Sequence, residues 1–150
     1  MKLCAQAVIH LPADEVWQRM LADFPSDQRR VGPVRIPRQP RDLQMEFKRW
    51  DEGSGFTILA HQSWYIKALW LKLSLEALSA QTTCVTVTAD LESILNPMVQ
   101  VGYFFYRKRI NRYVITTFAQ TRYTIETGDQ VTPENRASIP TDEIEIIDCR

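Results

Sequence analysis

An alternation of apolar and polar side chains runs through residues 69–91 and leaves few folds open to this chain. In LWLKLSLEAL, residues 69–78, the leucines at odd positions share one face with Ala77, while Trp70, Lys72, Ser74 and Glu76 share the other. After a short turn the same period returns, and the apolar face then carries Thr83, Val85, Val87, Ala89 and Leu91. A period of two residues indicates antiparallel strands that have one face in water.

Two further segments extend this pattern into a sheet. Residues 43–50 alternate in the same way, DEGSG supplies a turn with two glycines, and residues 56–60 resume the alternation, which predicts a hairpin. Residues 3–9 are β-tolerant and form a first strand. Consecutive strands with short turns predict an antiparallel meander whose apolar face needs a cover.

The predicted cover is one long helix over residues 97–128. Asn96 and Pro97 provide a cap and a first turn, and Gly128 provides a stop. The inward stripe, at three- and four-residue steps, consists of Val99, Tyr103, Tyr106, Ile110, Tyr113, Val114 and Thr117. A helix of some 25 to 30 residues would be roughly 40 Å long and would cross a whole sheet. The runs RYVITTF and RYTIET are rich in β-branched residues, so an early helix end or a strand in this region stays open as an alternative.

A shorter helix follows the first strand within VIHLPADEVWQRMLADF, residues 8–24. Pro12 suits the first turn of a helix, and Asp14 and Glu15 suit its positive end. One side of this helix is apolar and carries Val16, Trp17, Met20, Leu21 and Phe24. Residues 25–42 contain four prolines and a glycine, which predicts a loop with VGPVRI as a short edge strand.

These elements define an α+β protein. The chain has 150 residues, 45% of them apolar, which is the length and composition of one ordinary domain. We expect this domain to span residues 1–128. Residues 129–150 contain two prolines and six acidic side chains, and we expect an acidic C-terminal tail there with one short strand at 143–147.

Charge and cysteine content exclude several classes of function. Eighteen basic side chains balance eighteen acidic ones, so no strong non-specific attraction to nucleic acid or to an anionic membrane is expected. No run of apolar residues is long enough to span a bilayer, and we expect a soluble, unexported, cytoplasmic protein without stable membrane insertion. The cysteines, Cys4, Cys84 and Cys149, are odd in number and lack CxxC spacing, which fits a reducing compartment, with each cysteine a small apolar or tail residue, and predicts no metal site.

The order of these elements resembles the START-like, or Bet v 1-like, superfamily of helix-grip proteins, in particular bacterial polyketide cyclase/dehydrase and lipid-transport proteins. The closest wording is IHLPADEVWQRMLAD, which is similar to the group's opening of an apolar strand, Pro-Ala-x-x-Val-Trp and a helix. The resemblance implies a curved antiparallel sheet wrapped around the long C-terminal helix, enclosing an apolar cavity. The Pro/Arg-rich loop at 25–42 and the acidic extension after Gly128 depart from the group's pattern.

Catalytic groups are scarce in this sequence. The histidines are His10 and His61, and His61 falls on the strand face opposite Phe56 and Ile58. No HExxH, GxSxG, GxxxxGK[ST] or GxGxxG motif occurs, so catalytic residues stay unidentified and no cofactor is predicted. A carboxylate or tyrosine inside an apolar pocket could still act as an acid or base, because burial shifts pKa values strongly.

The candidate ligand-binding residues are those expected to face the interior of the sheet and the long helix. They are Met45, Phe47, Arg49, Phe56, Ile58, Leu71, Leu73, Val85, Val87, Tyr103, Tyr106, Ile110 and Tyr113. Arg49 shares parity with Met45 and Phe47, so it either points inward to meet a ligand carboxylate or reaches outward at the rim. Trp64 and Trp70 either line the cavity or cover an outer edge.

Three classes of function fit these residues. The first is binding or transport of an apolar small molecule, such as a lipid, an isoprenoid or a polyketide-like aromatic, which needs a cavity and a few polar anchors. The second is a polyketide cyclase/dehydratase-like enzyme, and the third is a protein-interaction module. The oligomeric state stays open, and the fold analogy supports each class only by association.

Overall fold

The computed structural model describes residues 2–35, 41–62, 66–93 and 96–149. Within those ranges the chain forms strands on both sides of a short helix and ends with a long helix and one more strand. In chain order the bounds are β1 Lys2–Ile9, α1 Ala13–Met20, β2 Gly32–Val34, β3 Leu43–Asp51, β4 Gly55–Gln62, β5 Ile66–Ser79, β6 Thr82–Ser93, α2 Asn96–Thr127 and β7 Ile144–Ile147.

The strands form one open antiparallel sheet in the order β2-β3-β4-β5-β6-β1-β7. The predicted meander is confirmed for β3 to β6, because each of these strands pairs with the next along the chain. β1 lies on the far side of β6, where Ala5 pairs with Val87. The N-terminal strand therefore completes the half of the sheet that α2 covers.

The long helix is confirmed as a single element. Its 32 residues correspond to a length of about 48 Å. It ends at Gly128, whose φ of 78° is the left-handed geometry of a helix stop, and the amide of Gly128 donates to the carbonyl of Thr124 at 2.9 Å. The guanidinium of Arg19 on α1 donates to the Glu126 carbonyl at 3.2 Å. This contact places a positive charge at the negative end of the helix dipole, which stabilises the helix. The β-branched run near residue 115 stays helical because tertiary packing overrides propensity.

Among the described side chains of α2, those that pack on the sheet belong to its C-terminal half. Among its described side chains, the buried ones are Phe118, Ala119, Arg122 and Ile125. Its contacts with the sheet are to β1, β6 and β7. The predicted inward stripe is therefore wrong in its first half, where Tyr106 is largely exposed, because the helix is longer than the part of the sheet it covers. The side chains of Val99 and Tyr103 lie outside the described residues.

The core divides into two clusters under the same sheet. The first joins β1, β6, the C-terminal half of α2 and the segment before β7, and its buried members are Ala5, Ala7, Ile9, Val16, Val85, Phe118, Ala119, Ile125, Ile139 and Ile144. The second joins α1 to β2, β3 and β4, and its buried members are Trp17, Leu21, Val34, Phe47, Phe56 and Ile58. α1 contributes Val16 to one cluster and Trp17 to the other, so this short helix ties the two halves of the core together.

Pro12 lies one position earlier than predicted. It precedes the first helical residue, with φ −58° and ψ 148°, and its carbonyl accepts from the amide of Val16 at 3.0 Å. Asp14 and Glu15 occupy the first turn as predicted. The edge strand expected in VGPVRI is present as β2, which pairs with β3, while Arg38 and the rest of 36–40 lie outside the described residues.

The C-terminal segment returns to the sheet. The short strand predicted near residue 145 is confirmed as β7, which pairs with β1. A disulfide joins Cys4 to Cys149, with their Cα atoms 5.5 Å apart. The interpretation of these two cysteines as isolated small or tail residues is therefore wrong, because a separation of 145 residues in sequence gives no sign of proximity in space. Cys84 is free and buried as expected.

The expected division of the chain at Gly128 into a domain, residues 1–128, and a C-terminal tail, residues 129–150, stays a prediction. Ile139 and Ile144 pack in the first core cluster. Among the residues that the structure describes, no helix has both the length and the apolar character needed to cross a membrane.

Candidate ligand-binding cavity

An apolar cavity of about 290 Å³ lies between the C-terminal half of α2 and the sheet. Most of the side chains around it are hydrocarbon, and the polar groups among them are hydroxyls. It is lined by Leu3, Ala5, Met20, Leu73, Val85, Val87, Ala89, Tyr113, Val114, Thr117, Phe118, Thr121 and Ile125. This is the site at which an apolar guest would be shielded from water.

The alternation of the strands supplies the floor of the cavity. Val85, Val87 and Ala89 point to the same face of β6, and Leu3 and Ala5 do so on β1. Alanines on neighbouring strands leave room where larger side chains would meet the helix. The hollow therefore follows from residue size at alternate positions.

The spacing of α2 supplies the roof. Val114, Thr117, Phe118, Thr121 and Ile125 follow one another at three- and four-residue steps, so they share one helix face. Phe118 and Ile125 are buried, while Thr117 and Thr121 are exposed. The hydroxyls therefore lie toward solvent and the hydrocarbon lies toward the core, as an amphipathic guest requires.

Tyr113 stands at the mouth of the cavity. Its side chain is 71% exposed, yet it also contributes to the cavity lining. The same residue lines an open groove of about 440 Å³ along α2, together with Gly102, Tyr106, Arg109 and Ile110. The groove and the cavity therefore share one residue at the entrance.

The structure brings four of the predicted ligand-binding residues to the cavity, namely Leu73, Val85, Val87 and Tyr113. Tyr106 and Ile110 lie instead in the open groove on α2. The side chain of Tyr103 and the whole of Trp64 lie outside the described residues. Trp70 points away from the leucine face of β5 and is partly exposed.

The remaining predicted residues belong to the second core cluster. Phe47, Phe56 and Ile58 are buried there, and Met45 and Leu71 pack against them. The rings fill this end of the sheet: Phe47 and Trp50 have centroids 4.9 Å apart, and Trp17 and Trp50 are 5.3 Å apart. Aromatic packing thus closes the space that sequence parity alone would assign to a ligand.

Arg49 lies at the rim, outside the cavity. A β-bulge between Phe47 and Arg49 breaks the alternation, so Trp50 takes the inward position opposite Phe56. The guanidinium of Arg49 pairs with Asp51, with Nε and Oδ2 2.6 Å apart, and the side chain is 69% exposed. Of the two orientations that the sequence left open, the structure has the outward one.

The sequence prediction missed most of the helix side of the cavity. The helical spacing places Val114 and Thr117 on the inward stripe of α2, and the strand alternation places Ala89 on the apolar face of β6, but neither pattern marks them as ligand residues. The signal that could have identified them was small size on an inward face, because an alanine leaves space where a leucine fills it. Met20 gave no such signal, since its position depends on how α1 packs.

The aromatic end of the sheet contains a charged anchor. The indole N–H groups of Trp17 and Trp50 donate to the two carboxylate oxygens of Glu52 at 2.9 and 2.7 Å. These hydrogen bonds, that of Trp17 first, lower the pKa of Glu52 below its ordinary value of 4.5, and the charge of Arg29 adds to the effect. The carboxylate stays ionised and fixes the positions of both indoles.

A second charged group stands behind the cavity. Arg122 is buried on α2, and its guanidinium contacts Glu143 and donates to Glu126 at 3.2 Å. Glu126 also accepts from the backbone amide of His10 at 2.9 Å. This network fastens the end of α2 to the end of β1 and to the residue just before β7.

The cavity offers little acid–base chemistry. Among its lining residues, Tyr113 alone carries an ionisable side chain. His61 lies on the other face of β4, where its Nε2 is 2.9 Å from Oε1 of Gln44. A larger open depression of about 460 Å³ near His61 has a mixed lining, in which Arg35, Arg41 and Glu46 stand beside Val34, Leu43 and Met45.

Comparison with known proteins supports the architecture. No family model matches the sequence, and no curated protein matches it significantly. Among solved structures, the chain is similar to CalU16 from Micromonospora echinospora, with a TM-score of 0.58, 15% identity, and coverage of 95% of this chain and 82% of that one. It is also similar to a conserved protein from Geobacillus kaustophilus, with a TM-score of 0.55, 10% identity, and coverage of 83% and 95%.

A third similar structure is the di-domain ARO/CYC protein BexL from the BE-7585A biosynthetic pathway. Its TM-score is 0.53 at 12% identity, over 84% of this chain and 45% of that one. Identities this low show the fold alone. With its curved antiparallel sheet, its short helix after the first strand and its long C-terminal helix, the chain has a helix-grip fold.

Proposed function

We propose that this chain binds and carries an apolar small molecule in the cavity between α2 and the sheet. The observation that supports this function is the hydrocarbon-lined hollow of about 290 Å³ under the C-terminal half of α2, which is open on the side of the exposed Tyr113, Thr117 and Thr121. An apolar guest that enters it removes apolar surface from water, both its own and that of the lining.

The size of the cavity narrows the class of guest. An apolar cavity of about 150 Å³ accommodates one benzene molecule, so the cavity here suits a molecule of about two fused rings or a short branched chain. A polyketide-like aromatic or a small isoprenoid fits this volume better than a lipid with two acyl chains. The hydroxyls of Thr117, Thr121 and Tyr113 would orient a polar group of the guest toward the mouth.

A cyclase- or dehydratase-like enzyme is the alternative, and BexL, which is named an ARO/CYC protein, is one of the structures with this fold. Such an enzyme would need a group to remove a proton and a group to donate one near the substrate. The cavity offers the Tyr113 phenol as its one ionisable lining side chain. The lining therefore favours a carrier over an enzyme.

Native mass spectrometry of freshly purified protein tests the carrier directly, because a bound guest adds its mass to that of the chain. A neutral naphthalene dye such as prodan provides a second test, since its fluorescence rises in an apolar site and a bound guest would compete with it. We expect prodan to bind with a dissociation constant in the micromolar range, and we expect a co-purified guest of the right class to displace it.

Two substitutions on adjacent residues of β6 separate the cavity from the rest of the protein. Val87→Glu places a carboxylate in the hollow and should abolish dye binding, because burying an unpaired charge is costly. Thr86→Glu places the same group on the opposite face of the strand and should leave binding unchanged. Equal binding by both variants would show that the dye lies elsewhere and would refute the proposal.

A cytoplasmic location is part of the same proposal and depends on the oxidation state of Cys4 and Cys149. Disulfides persist mainly in oxidising compartments, whereas the cytosol keeps thiols reduced. Rapid alkylation of thiols in intact cells distinguishes the two states. If both residues are alkylated, a cytosolic carrier is supported, and a protected pair would place the protein in an oxidising compartment.

A further inference from the structure

The N-terminal half of α2 carries large apolar side chains that are exposed to solvent. Phe104 and Phe105 are 78% and 74% exposed, and Met98 and Val101 are also largely exposed. Scattered exposed apolar residues are common, but a contiguous group on one element marks an interaction site. This group is distinct from the cavity, whose helix residues begin at Tyr113.

The exposed apolar residues form a stripe along α2, and the stripe continues with basic residues. Met98, Val101, Phe105, Lys108 and Arg112 follow one another at three- and four-residue steps, so they lie along one side of the helix. Phe104 borders the same side. We call these six residues the α2 stripe; its first two turns are apolar, and its next two turns are basic and exposed.

The charge of the helix limits what can cover the stripe. Arg107 and Arg109 flank Lys108, whereas Glu126, in the last turn, is the first acidic residue of the helix. Two copies of this helix packed side by side would bring cations together without an acidic residue between them, which is unfavourable. The complementary surface must therefore be anionic and must also accept apolar side chains.

We propose that the α2 stripe docks this protein onto an anionic lipid surface. Phenylalanine, valine and methionine enter the boundary between headgroups and acyl chains, while lysine and arginine remain with the headgroup phosphates. Single-stranded nucleic acid also combines negative charge with aromatic stacking, but Met98 and Val101 lead the stripe and have no ring on which a base could stack. The docking is peripheral and requires no spanning segment.

Vesicle flotation tests the docking with the full chain and with no cavity ligand present. We expect the protein to float with phosphatidylcholine vesicles that contain about 30% phosphatidylglycerol, and to stay at the bottom with pure phosphatidylcholine. Binding should fall steeply when salt is raised from about 0.05 M to 0.5 M, because the Debye length shrinks. Equal flotation with both vesicle types, or with neither, would overturn the proposal.

Matched substitutions locate the contact. Removing one cation near a charged membrane surface weakens binding about fivefold, so the double variant Lys108→Gln and Arg112→Gln should bind about 25-fold more weakly. Neutralising Lys67 and Arg136, which are exposed elsewhere, should cost much less. A similar loss for both pairs would mean that total charge alone acts, and the stripe would be rejected.

The apolar contribution has its own control. Phe105→Ser should weaken vesicle binding about tenfold, whereas Leu78→Ser, at a side chain 55% exposed on β5, should leave it unchanged. All these side chains are exposed, so circular dichroism should report intact folding. A dimer in solution that Phe105→Ser dissociates would assign the stripe to a second copy, and tight binding of a uridine 20-mer that the same variants abolish would assign it to nucleic acid; either result overturns the lipid proposal.

Discussion

Replacing Ala89 with leucine tests whether the hollow beneath α2 is empty. Ala89 lies on β6 between Leu3 of β1 and Leu71 of β5, and its methyl group lines the cavity. Leucine adds three carbon atoms at this position. If the space is empty, these atoms gain contacts without displacing any neighbour, whereas in a filled core they would force the surrounding side chains apart.

The expected gain follows from hydrocarbon burial. Each buried methylene contributes about 0.8 kcal/mol, so three carbons contribute at most about 2.4 kcal/mol. Ordering the leucine side chain costs about 0.5–1 kcal/mol. The net increase in the free energy of unfolding is therefore about 1.5 kcal/mol, which corresponds to a rise in Tm of roughly 3–6 °C for a chain of this size.

The assay combines thermal unfolding of the unliganded protein with titration of prodan. Ala89→Leu should raise Tm and weaken dye binding at least tenfold, because the same atoms occupy the place of the guest. Ala119→Leu is the control: Ala119 is 1% exposed in the first core cluster and does not line the cavity, so overpacking should cost about 1–3 kcal/mol. If Ala89→Leu lowered Tm as Ala119→Leu does, the cavity would not exist. A raised Tm with unchanged dye binding would refute its role as the binding site.

Three further outcomes follow from the contacts around the cavity. Arg122→Met removes the partner of two carboxylates and should lower the free energy of unfolding by about 3 kcal/mol in urea titrations, while Arg136→Met, at an exposed site, should change it by less than about 0.5 kcal/mol. Cys149→Ser opens the disulfide that holds the strand β7 and should cost about 2–5 kcal/mol under non-reducing conditions, with no further loss on adding reductant. Because the pKa of Glu52 is lowered in the folded state, its contribution to stability is present above the unfolded pKa, near 4.5, and is lost as the pH falls through the lower folded value. Glu52→Gln should therefore reduce the loss of stability between pH 7 and pH 3, measured as the change in urea midpoint.

The architecture was predictable because its signals are local. The alternation in β5 and β6 and the hairpin of β3 and β4 depend on neighbouring residues, and the structure confirms each of them. The single helix from Asn96 to Thr127 also follows from the spacing of its C-terminal half and from Gly128, whereas Asn96, predicted as the cap, is already helical. Its β-branched residues left a strand open as an alternative, but the segment is helical because it packs on β1 and β6.

Contacts between distant parts of the chain left no such signal. The pairing of β1 with both β6 and β7 and the bond between Cys4 and Cys149 join residues far apart in sequence. The bulge after Phe47 shifted parity by one residue and exchanged Arg49 for Trp50 on the inner face. One extra residue in a strand moves every later side chain of that strand to the opposite face, so a candidate chosen by parity beyond the bulge on the same strand is placed on the wrong face.

The sheet residues of the candidate cavity were predictable from the sequence, but the part of the sheet that remains open was not. Parity correctly placed Leu73, Val85 and Val87 on the face that lines the cavity. It could not show that Phe47 and Phe56 pack in one cluster with Trp17 while Ala5 and Ala89 line a cavity, because that depends on how α1 packs on the sheet. Which part of a concave face remains open is a property of packing, and it appears only when the helices are in place.

The two proposals assign different roles to the two halves of the long helix, and the halves differ in how far their side chains are exposed. Its C-terminal half is held by the sheet, by Arg122 and by β7, so it can roof a cavity without moving. Its N-terminal half extends past the sheet and exposes phenylalanines that a helix serving only as a roof would not carry. Phe105 and Tyr113 are eight residues apart, about 12 Å along the axis, and the open groove beside Tyr106 and Ile110 lies between them. Arg112 and Tyr113 are adjacent in sequence and therefore about 100° apart around the helix axis, so a protein resting on lipid through the stripe would have the mouth of the cavity at its side and not against the headgroups.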